Sequence, residues 1–86
     1  MSNEQNIQLQ AVKPLPQLEI GDSGDAVILV QKLLRSLRFN LSVTGSFNDE
    51  TKKRIAEFQR NNNLTPDGVV GTNTWRELIR NFNPPQ

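Results

Sequence analysis

The 86-residue sequence contains neither cysteine nor histidine. Without cysteine there is no disulfide framework, no cysteine-based zinc site and no thiolate nucleophile. Without histidine there is no Ser-His-Asp triad, no imidazole acid–base group and no histidine metal ligand. Any catalysis by this chain would therefore have to use carboxylates, lysine or hydroxyl groups, and we expect no cofactor and no metal.

The sequence also lacks an excess of charge and any long hydrophobic run. Ten Lys and Arg residues face nine Asp and Glu residues, so the formal net charge is only +1, far from the basic field of a generic nucleic-acid binder. No stretch approaches the roughly 18 apolar residues of a membrane span. We expect neither a nucleic-acid partner nor membrane insertion, and folding of so short a chain supports one modest core.

Composition divides the chain into three parts. Residues 1–17 are polar, carry two spaced prolines at their end and are interpreted as a flexible arm or linker. An alternative is a short extended segment lying on the domain, because three apolar residues alternate at period two: Ile7, Leu9 and Ala11. Residues 18–82 form the domain, and residues 83–86 are a proline-containing tail that ends the last helix.

Hydrophobic periodicity predicts three helices within residues 18–82. The first spans about residues 24–37 and is capped by Asp22 or Ser23, and the second follows the cap Asn48 and ends near residues 61–63. The third begins after Gly71. The predicted apolar stripes comprise Val27, Val30, Leu33, Leu34 and Leu37, then Thr51, Ile55 and Phe58, then Trp75, Leu78, Ile79 and Phe82. Since each helix has one apolar face, the pattern predicts an all-α fold, a small three-helix bundle with long connecting loops.

A turn-to-helix junction occurs twice, twenty-three residues apart in the chain. Each copy has a turn glycine, an apolar residue two positions later, a helix N-cap and a threonine at the third helical position, near the free backbone amides. Glycine and threonine are identical in the two copies: Gly45 and Thr51 in the first, Gly68 and Thr74 in the second. The repeat is therefore structural before it is functional.

The ordered series of these pieces resembles the peptidoglycan-binding domain family, the small three-helix wall-binding module attached to many murein hydrolases. The matching residues, over about 18–80, are Leu18, Gly21, Gly24, Val27, Val30-Gln31, Leu34, Gly45-Ser46-Phe47-Asn48, Thr51, Ile55-Ala56, Phe58-Gln59, Leu64, Asp67-Gly68-Val69-Val70-Gly71, Thr74-Trp75 and Leu78. The family commonly has glycine after the first helix and before the matched Leu64. This chain has Arg38-Phe39-Asn40 and Asn63 there, and we expect Asn40 and Asn63 to adopt the positive φ that glycine provides.

The resemblance implies a non-catalytic module that binds peptidoglycan, through the glycan, the peptide stem or both, and so holds a linked activity at the wall. It also implies a location in the cell envelope or outside the cell, and we expect a monomer. One alternative is a helical protein-interaction or regulatory module of the same fold. A small DNA-binding domain is less favoured because no helix presents a basic recognition face.

Candidate ligand-binding residues combine amide, basic and aromatic side chains near the junctions: Arg38, Phe39, Asn48, Arg54 and Asn73. Phe39 belongs to no stripe and is expected to be the exposed aromatic, whereas Trp75 is expected in the core. Gln31 and Gln59 follow stripe residues and are expected to hold neighbouring loops by hydrogen bonds. No two carboxylates are placed to form the facing pair that glycoside hydrolysis requires, so no catalytic residue is assigned.

Overall fold

Three helices carry the fold, as the hydrophobic periodicity predicts: α1 (Asp25–Ser36), α2 (Asp49–Asn61) and α3 (Thr72–Asn81). The computed structural model describes residues 15–82. The interpretation of residues 83–86 as a tail, and that of the first fourteen residues as an arm, concern parts of the chain outside the described residues. The predicted helix bounds agree with the structure to within one or two residues.

The helix starts differ in how their free backbone amides are satisfied. At α2 the side-chain oxygen of Asn48 accepts a hydrogen bond from the Thr51 amide at 2.9 Å, so the predicted cap is confirmed. The prediction for α1 is wrong, because Gly24 occupies the N-cap position and no side chain caps this helix. The Asp22 carboxylate instead accepts the Glu19 amide at 2.9 Å and stabilises the preceding turn.

Twelve apolar side chains from all three helices and their connections form one core: Leu18, Val27, Val30, Leu33, Leu34, Leu41, Phe47, Ile55, Phe58, Val70, Trp75 and Leu78. The core positions predicted for Phe58 and Trp75 are confirmed. The stripe predicted for α3 is too wide, because Ile79 is 54% and Phe82 is 40% exposed. Ile79 is rotated by about 100° from the buried Leu78, and Phe82 already has extended backbone angles as the C-cap.

Residues 15–24, which we call the strap, run across both junctions. Leu18 exchanges two backbone hydrogen bonds with Val70, at 2.8 and 3.0 Å, and the Phe47 amide donates to the Asp22 carbonyl at 2.8 Å. The indole nitrogen of Trp75 donates to the Pro16 carbonyl at 2.7 Å. The apolar residue of each junction is thus paired with the strap, and the domain makes contacts two residues before the predicted boundary at residue 18.

Helices α1 and α2 end in the same way, with a residue of positive φ after the C-cap. These residues are Arg38 (φ 77°) and Asn63 (φ 60°), so the expectation for Asn63 is confirmed and that for Asn40 is wrong. After α1, the Phe39 amide donates to the Leu34 carbonyl at 3.0 Å, which is the Schellman pattern. This pattern places the left-handed residue directly after the C-cap Leu37, so the position falls on Arg38.

Candidate functional site

A buried glutamine organises the first junction. Gln31 is fully buried, and its carbonyl oxygen accepts the Thr44 and Gly45 amides, both at 2.9 Å. Its amide nitrogen donates to the Ser46 carbonyl at 3.0 Å and to the Thr51 hydroxyl at 3.1 Å. The Thr51 hydroxyl in turn donates to the Asn48 side chain at 2.9 Å. The loop that carries Gly45 is therefore fixed to α1 by side-chain amide bonds.

The second junction repeats this network around Gln59. The carbonyl oxygen of Gln59 accepts the Gly68 amide at 2.9 Å, and its amide nitrogen donates to the Val69 carbonyl at 2.9 Å and to the Thr74 hydroxyl at 3.0 Å. A third acceptor is the Asp67 carboxylate at 3.0 Å. The predicted role of both glutamines as loop ties is confirmed. Each junction threonine hydroxyl accepts a hydrogen bond from one of these glutamines, and the linear repeat does not reveal this contact.

A shallow depression between the end of α1 and the middle of α2 collects three of the five candidate ligand-binding residues. We call it the arginine depression; it has a volume of about 240 Å³ and is lined by Leu37, Arg38, Phe39, Asn40, Arg54 and Glu57. The Arg54 side chain is held there, since its Nε donates to the Asn40 carbonyl at 2.9 Å and its Nη1 lies 3.3 Å from the Glu57 carboxylate. Within residues 15–82, Arg38 forms no ion pair.

Phe39 lines the arginine depression but is not the exposed aromatic that the sequence indicated. Its side chain is half-buried and packs against the core. Its ring meets that of Phe58 edge to face, with the centroids 6.2 Å apart and the planes at 70°. The Schellman ending explains the difference, because the residue after the left-handed position turns back onto the helix that it follows. Among the described aromatic residues, Phe82 is the exposed one.

The other two candidate residues lie elsewhere. Asn48 is exposed, but its side-chain oxygen is occupied by both polar hydrogens of Thr51. Asn73 is exposed on a second depression of about 230 Å³, the junction depression, whose polar lining includes Gln59, Asp67 and Thr74. The Asn73 side-chain oxygen accepts from Arg76 at 3.3 Å. The structure therefore does not join Asn48 or Asn73 to the arginine depression.

The two depressions differ in their charged groups, but each contains only one carboxylate. The arginine depression has two guanidinium groups and one carboxylate, Glu57, and the junction depression has one carboxylate, Asp67. Glycoside hydrolysis uses two carboxyl groups that face each other across one cleft. Neither depression has such a pair in its lining. Across the described residues no three acidic side chains lie together in a way that could hold a metal ion. The polar and charged side chains that line the two depressions suit reversible hydrogen bonding and ion pairing with a polar ligand.

Sequence reasoning missed Asn40 and Glu57 as parts of the arginine depression. Asn40 contributes a backbone carbonyl, for which a side-chain pattern has no signal. Glu57 lies three residues after Arg54 on α2, a spacing that places two residues on one helix face, and this spacing could have identified it.

None of the helices among residues 15–82 could span a membrane.

Residues 15–82 thus form a three-helix fold without strands, with two small depressions lined by polar and charged residues on its surface. Residues 23–78 match the family described as "Putative peptidoglycan binding domain". The chain belongs to this family, as its junctions and core pattern indicate.

Several individual proteins are similar to this chain. An uncharacterized protein in the bpoA1 3′ region of Kitasatospora aureofaciens is 42% identical over 65 residues, which cover 73% of this chain and 55% of the relative. The crystal structure of a peptidoglycan-binding protein from Clostridioides difficile, in complex with glutamine hydroxamate, has 30% identity and a TM-score of 0.80 over 85% of this chain and 46% of that one.

A third similar protein joins such a domain to enzymes. It is a fused Zn-dependent amidase/peptidase/peptidoglycan-binding domain-containing protein from Clostridium acetobutylicum, with 28% identity and a TM-score of 0.74 over 86% of this chain and 32% of that one. The chain thus spans about half of the curated relative, about half of the C. difficile protein and a third of this fusion.

Proposed function

We propose that this chain is a non-catalytic module that binds peptidoglycan and keeps a linked activity at the cell wall. The observation that carries the proposal is the family match over residues 23–78, which includes both junctions and most of the core. A domain of this kind acts by raising the effective concentration of its partner at the wall. It works in the cell envelope or outside the cell, where peptidoglycan is found.

The arginine depression is the proposed ligand-binding surface. Its volume of about 240 Å³ is below the roughly 300–1,000 Å³ of sites that enclose drug-sized ligands, so it accommodates one part of a muropeptide, such as an acetamido group or one stem residue. Arg38 is exposed and unpaired among the described residues, so it is available for a stem carboxylate. Arg54, which the Asn40 carbonyl holds, lines the depression together with Arg38, and Phe39 supplies apolar contact.

The junction depression is a second surface on which a polar ligand can rest. Asn73 lies at its rim, beside the loop that Gln59 holds. A rigid loop lowers the entropic cost of binding, and the same argument applies to Asn48 at the first junction. We assign Asn73 and Asn48 an auxiliary role, through side-chain amides at the two helix starts.

Co-sedimentation with purified insoluble peptidoglycan tests both levels of this proposal. We expect the wild-type chain to pellet at low and moderate salt. Arg38→Ala should weaken binding on the order of tenfold, the loss of one charge-assisted hydrogen bond. Arg35→Ala is the matched control, because Arg35 is an exposed arginine on α1 outside the depression, and it should bind as the wild type does. Asn73→Ala with Asn61→Ala as its control tests the junction depression in the same way.

The outcomes test peptidoglycan binding by the chain separately from the position of its binding site. Failure of the wild-type chain to pellet would contradict peptidoglycan binding and favour a protein-interaction module of the same fold. Pelleting that is equally strong in Arg38→Ala and Arg35→Ala would contradict the arginine depression while leaving wall binding intact. Release of labelled muropeptides from the pellet by the purified chain would contradict a non-catalytic role.

A further inference from the structure

The apolar surface between α1 and α3 has no partner among the described residues. Leu29, Ile79 and Phe82 are 45%, 54% and 40% exposed, and with Leu33 and the stem of Lys32 they form a groove of about 380 Å³. We call it the apolar groove. Ile79 and Phe82 belong to the apolar stripe of α3 that the sequence analysis assigned to the core. In the structure both side chains face outward. Contiguous exposed apolar surface is a feature of many binding sites.

The described part of the chain begins beside this groove. Leu15, itself 47% exposed, lines a neighbouring apolar depression with Trp75 and Ile79. Ile79 belongs to both depressions, so the two apolar surfaces are continuous. The hydrogen bond from Trp75 to the Pro16 carbonyl fixes this end of the strap on α3. The chain that precedes Leu15 therefore starts at the edge of the apolar groove.

We propose that residues 5–12 of this chain bind in the apolar groove. This stretch carries no charged residue, so its burial against apolar side chains requires the removal of no ionic group from water. Its apolar residues are Ile7, Leu9, Ala11 and Val12, and polar glutamines separate the first three. In an extended conformation the side chains of Ile7, Leu9 and Ala11 share one face, which we place against the apolar groove, while Gln8 and Gln10 are on the opposite face, towards solvent.

The length of the connection is sufficient. An extended chain covers at most about 3.3–3.6 Å per residue, so the residues between Leu9 and Leu15 can span on the order of 20 Å. The stretch of α3 from Trp75 to Phe82, along which the two apolar depressions lie, is about 10 Å long at 1.5 Å per residue. Leu9 can therefore reach the far end of the groove.

A second copy of the chain is the less favoured occupant. A stable dimer needs roughly 800 Å² from each partner, whereas the groove offers three side chains that are each about half exposed. A covalently attached segment does not lose translational freedom on binding, so a small apolar contact is enough to hold it. The docked segment would lie on α1 and α3, independently of the arginine depression on α1 and α2.

Paramagnetic labelling tests the proposal in the full 86-residue chain. Because the sequence has no cysteine, Asn6→Cys gives a single attachment point for a nitroxide next to Ile7. We expect strong relaxation of the methyl signals of Leu29 and Ile79 and of the Phe82 ring, and weaker relaxation of the Ile55 methyl signals on α2. Adding Leu9→Ser should reduce the docked population on the order of tenfold, since one buried leucine side chain is lost, whereas the matched Gln10→Ser should retain it.

Three results would overturn the proposal. One is the absence of relaxation at the groove in the labelled chain, and another is an equal effect of Leu9→Ser and Gln10→Ser. The third comes from mixing spin-labelled chain without isotope with isotope-labelled chain without nitroxide. Relaxation at Leu29 and Ile79 in this mixture, with an average mass above that of one chain in light scattering, would assign the groove to a second copy.

Discussion

At the scale of single residues, Arg38 combines a backbone cost with a proposed binding role. Its φ of 77° lies in the left-handed region, which costs a non-glycine residue roughly 1–2 kcal/mol. The resemblance to the family places glycine in this region of the chain, where the cost would vanish. An arginine here is explained if its exposed guanidinium binds ligand at the edge of the arginine depression.

Replacing Arg38 by glycine should separate these two contributions. We expect Arg38→Gly to raise the free energy of unfolding by about 1 kcal/mol, through relief of the left-handed strain, and to weaken peptidoglycan binding. Arg35→Gly is the control, because Arg35 lies inside α1 and glycine there should destabilise by about 1 kcal/mol. Urea denaturation and co-sedimentation measure the two effects. Destabilisation by Arg38→Gly would contradict the strain argument.

The two junction threonines give a second prediction at this scale. The Thr51 hydroxyl forms hydrogen bonds with both Gln31 and Asn48, whereas the Thr74 hydroxyl forms one, with Gln59. A typical hydrogen bond contributes about 1 kcal/mol to stability. Thr51→Val loses two such bonds and should therefore cost about 2 kcal/mol, whereas Thr74→Val loses one and should cost about 1 kcal/mol. Thr72→Val, at an exposed position, should change stability by less than about 0.5 kcal/mol. Equal urea midpoints for all three variants would contradict the network.

At the scale of elements, the strap joins two junctions that belong to different helices. It pairs with Val70 before α3 and with Phe47 before α2, so it couples the starts of both helices without forming a sheet. Each junction is also tied to the preceding helix by a glutamine. A short chain with a modest core thus gains order from backbone and amide hydrogen bonds between its elements.

Trp75→Phe tests how the strap is attached. The variant keeps an aromatic ring in the core but removes the 2.7 Å bond to the Pro16 carbonyl, and we expect a loss of about 1–2 kcal/mol in stability. Hydrogen exchange should accelerate at the Leu18 amide, which pairs with Val70, more than at the Val30 amide in the middle of α1. Equal acceleration at Leu18 and Val30 would indicate global unfolding alone and contradict a local role of this bond.

At the scale of the whole molecule, residues 15–82 offer shallow surfaces rather than a deep cleft. Shallow sites bind weakly, and a wall polymer presents many copies of the same unit, so affinity is gained by linking modules. The domain combines these surfaces with a single apolar core, which suits the proposed role as a wall-binding module. Among the described residues its depressions have no facing carboxylate pair.

A tandem fusion of two copies should show this behaviour. We expect the fusion to bind insoluble peptidoglycan at least about 100-fold more tightly than one copy, because the second binding event is intramolecular. A fusion in which one copy carries Arg38→Ala should lie in between. Identical affinities of the fusion and the single chain, measured by co-sedimentation over a dilution series, would contradict repeated binding along the polymer.

Much of the fold could be predicted from local chemistry. The helix bounds follow from apolar periodicity, from the Asn48 cap and from turn glycines, which are features of short stretches of chain. Of the five candidate ligand-binding residues, Arg38, Phe39 and Arg54 share a depression, whereas Asn48 and Asn73 lie apart from it. Their role in ligand binding stays a prediction. Distances between separate loops depend on how the helices pack, and a linear pattern does not contain them.

The sequence alone determined that the chain has three amphipathic helices, two equivalent junctions and no histidine or cysteine chemistry, because periodicity, caps and composition act within a few residues. Only the tertiary structure decided that Phe39 packs against Phe58 and that Ile79 and Phe82 face outward. It also decided that both junction threonines accept hydrogen bonds from buried glutamines. These outcomes depend on the rotation of each helix against its neighbours, which is set by the packing of the whole core.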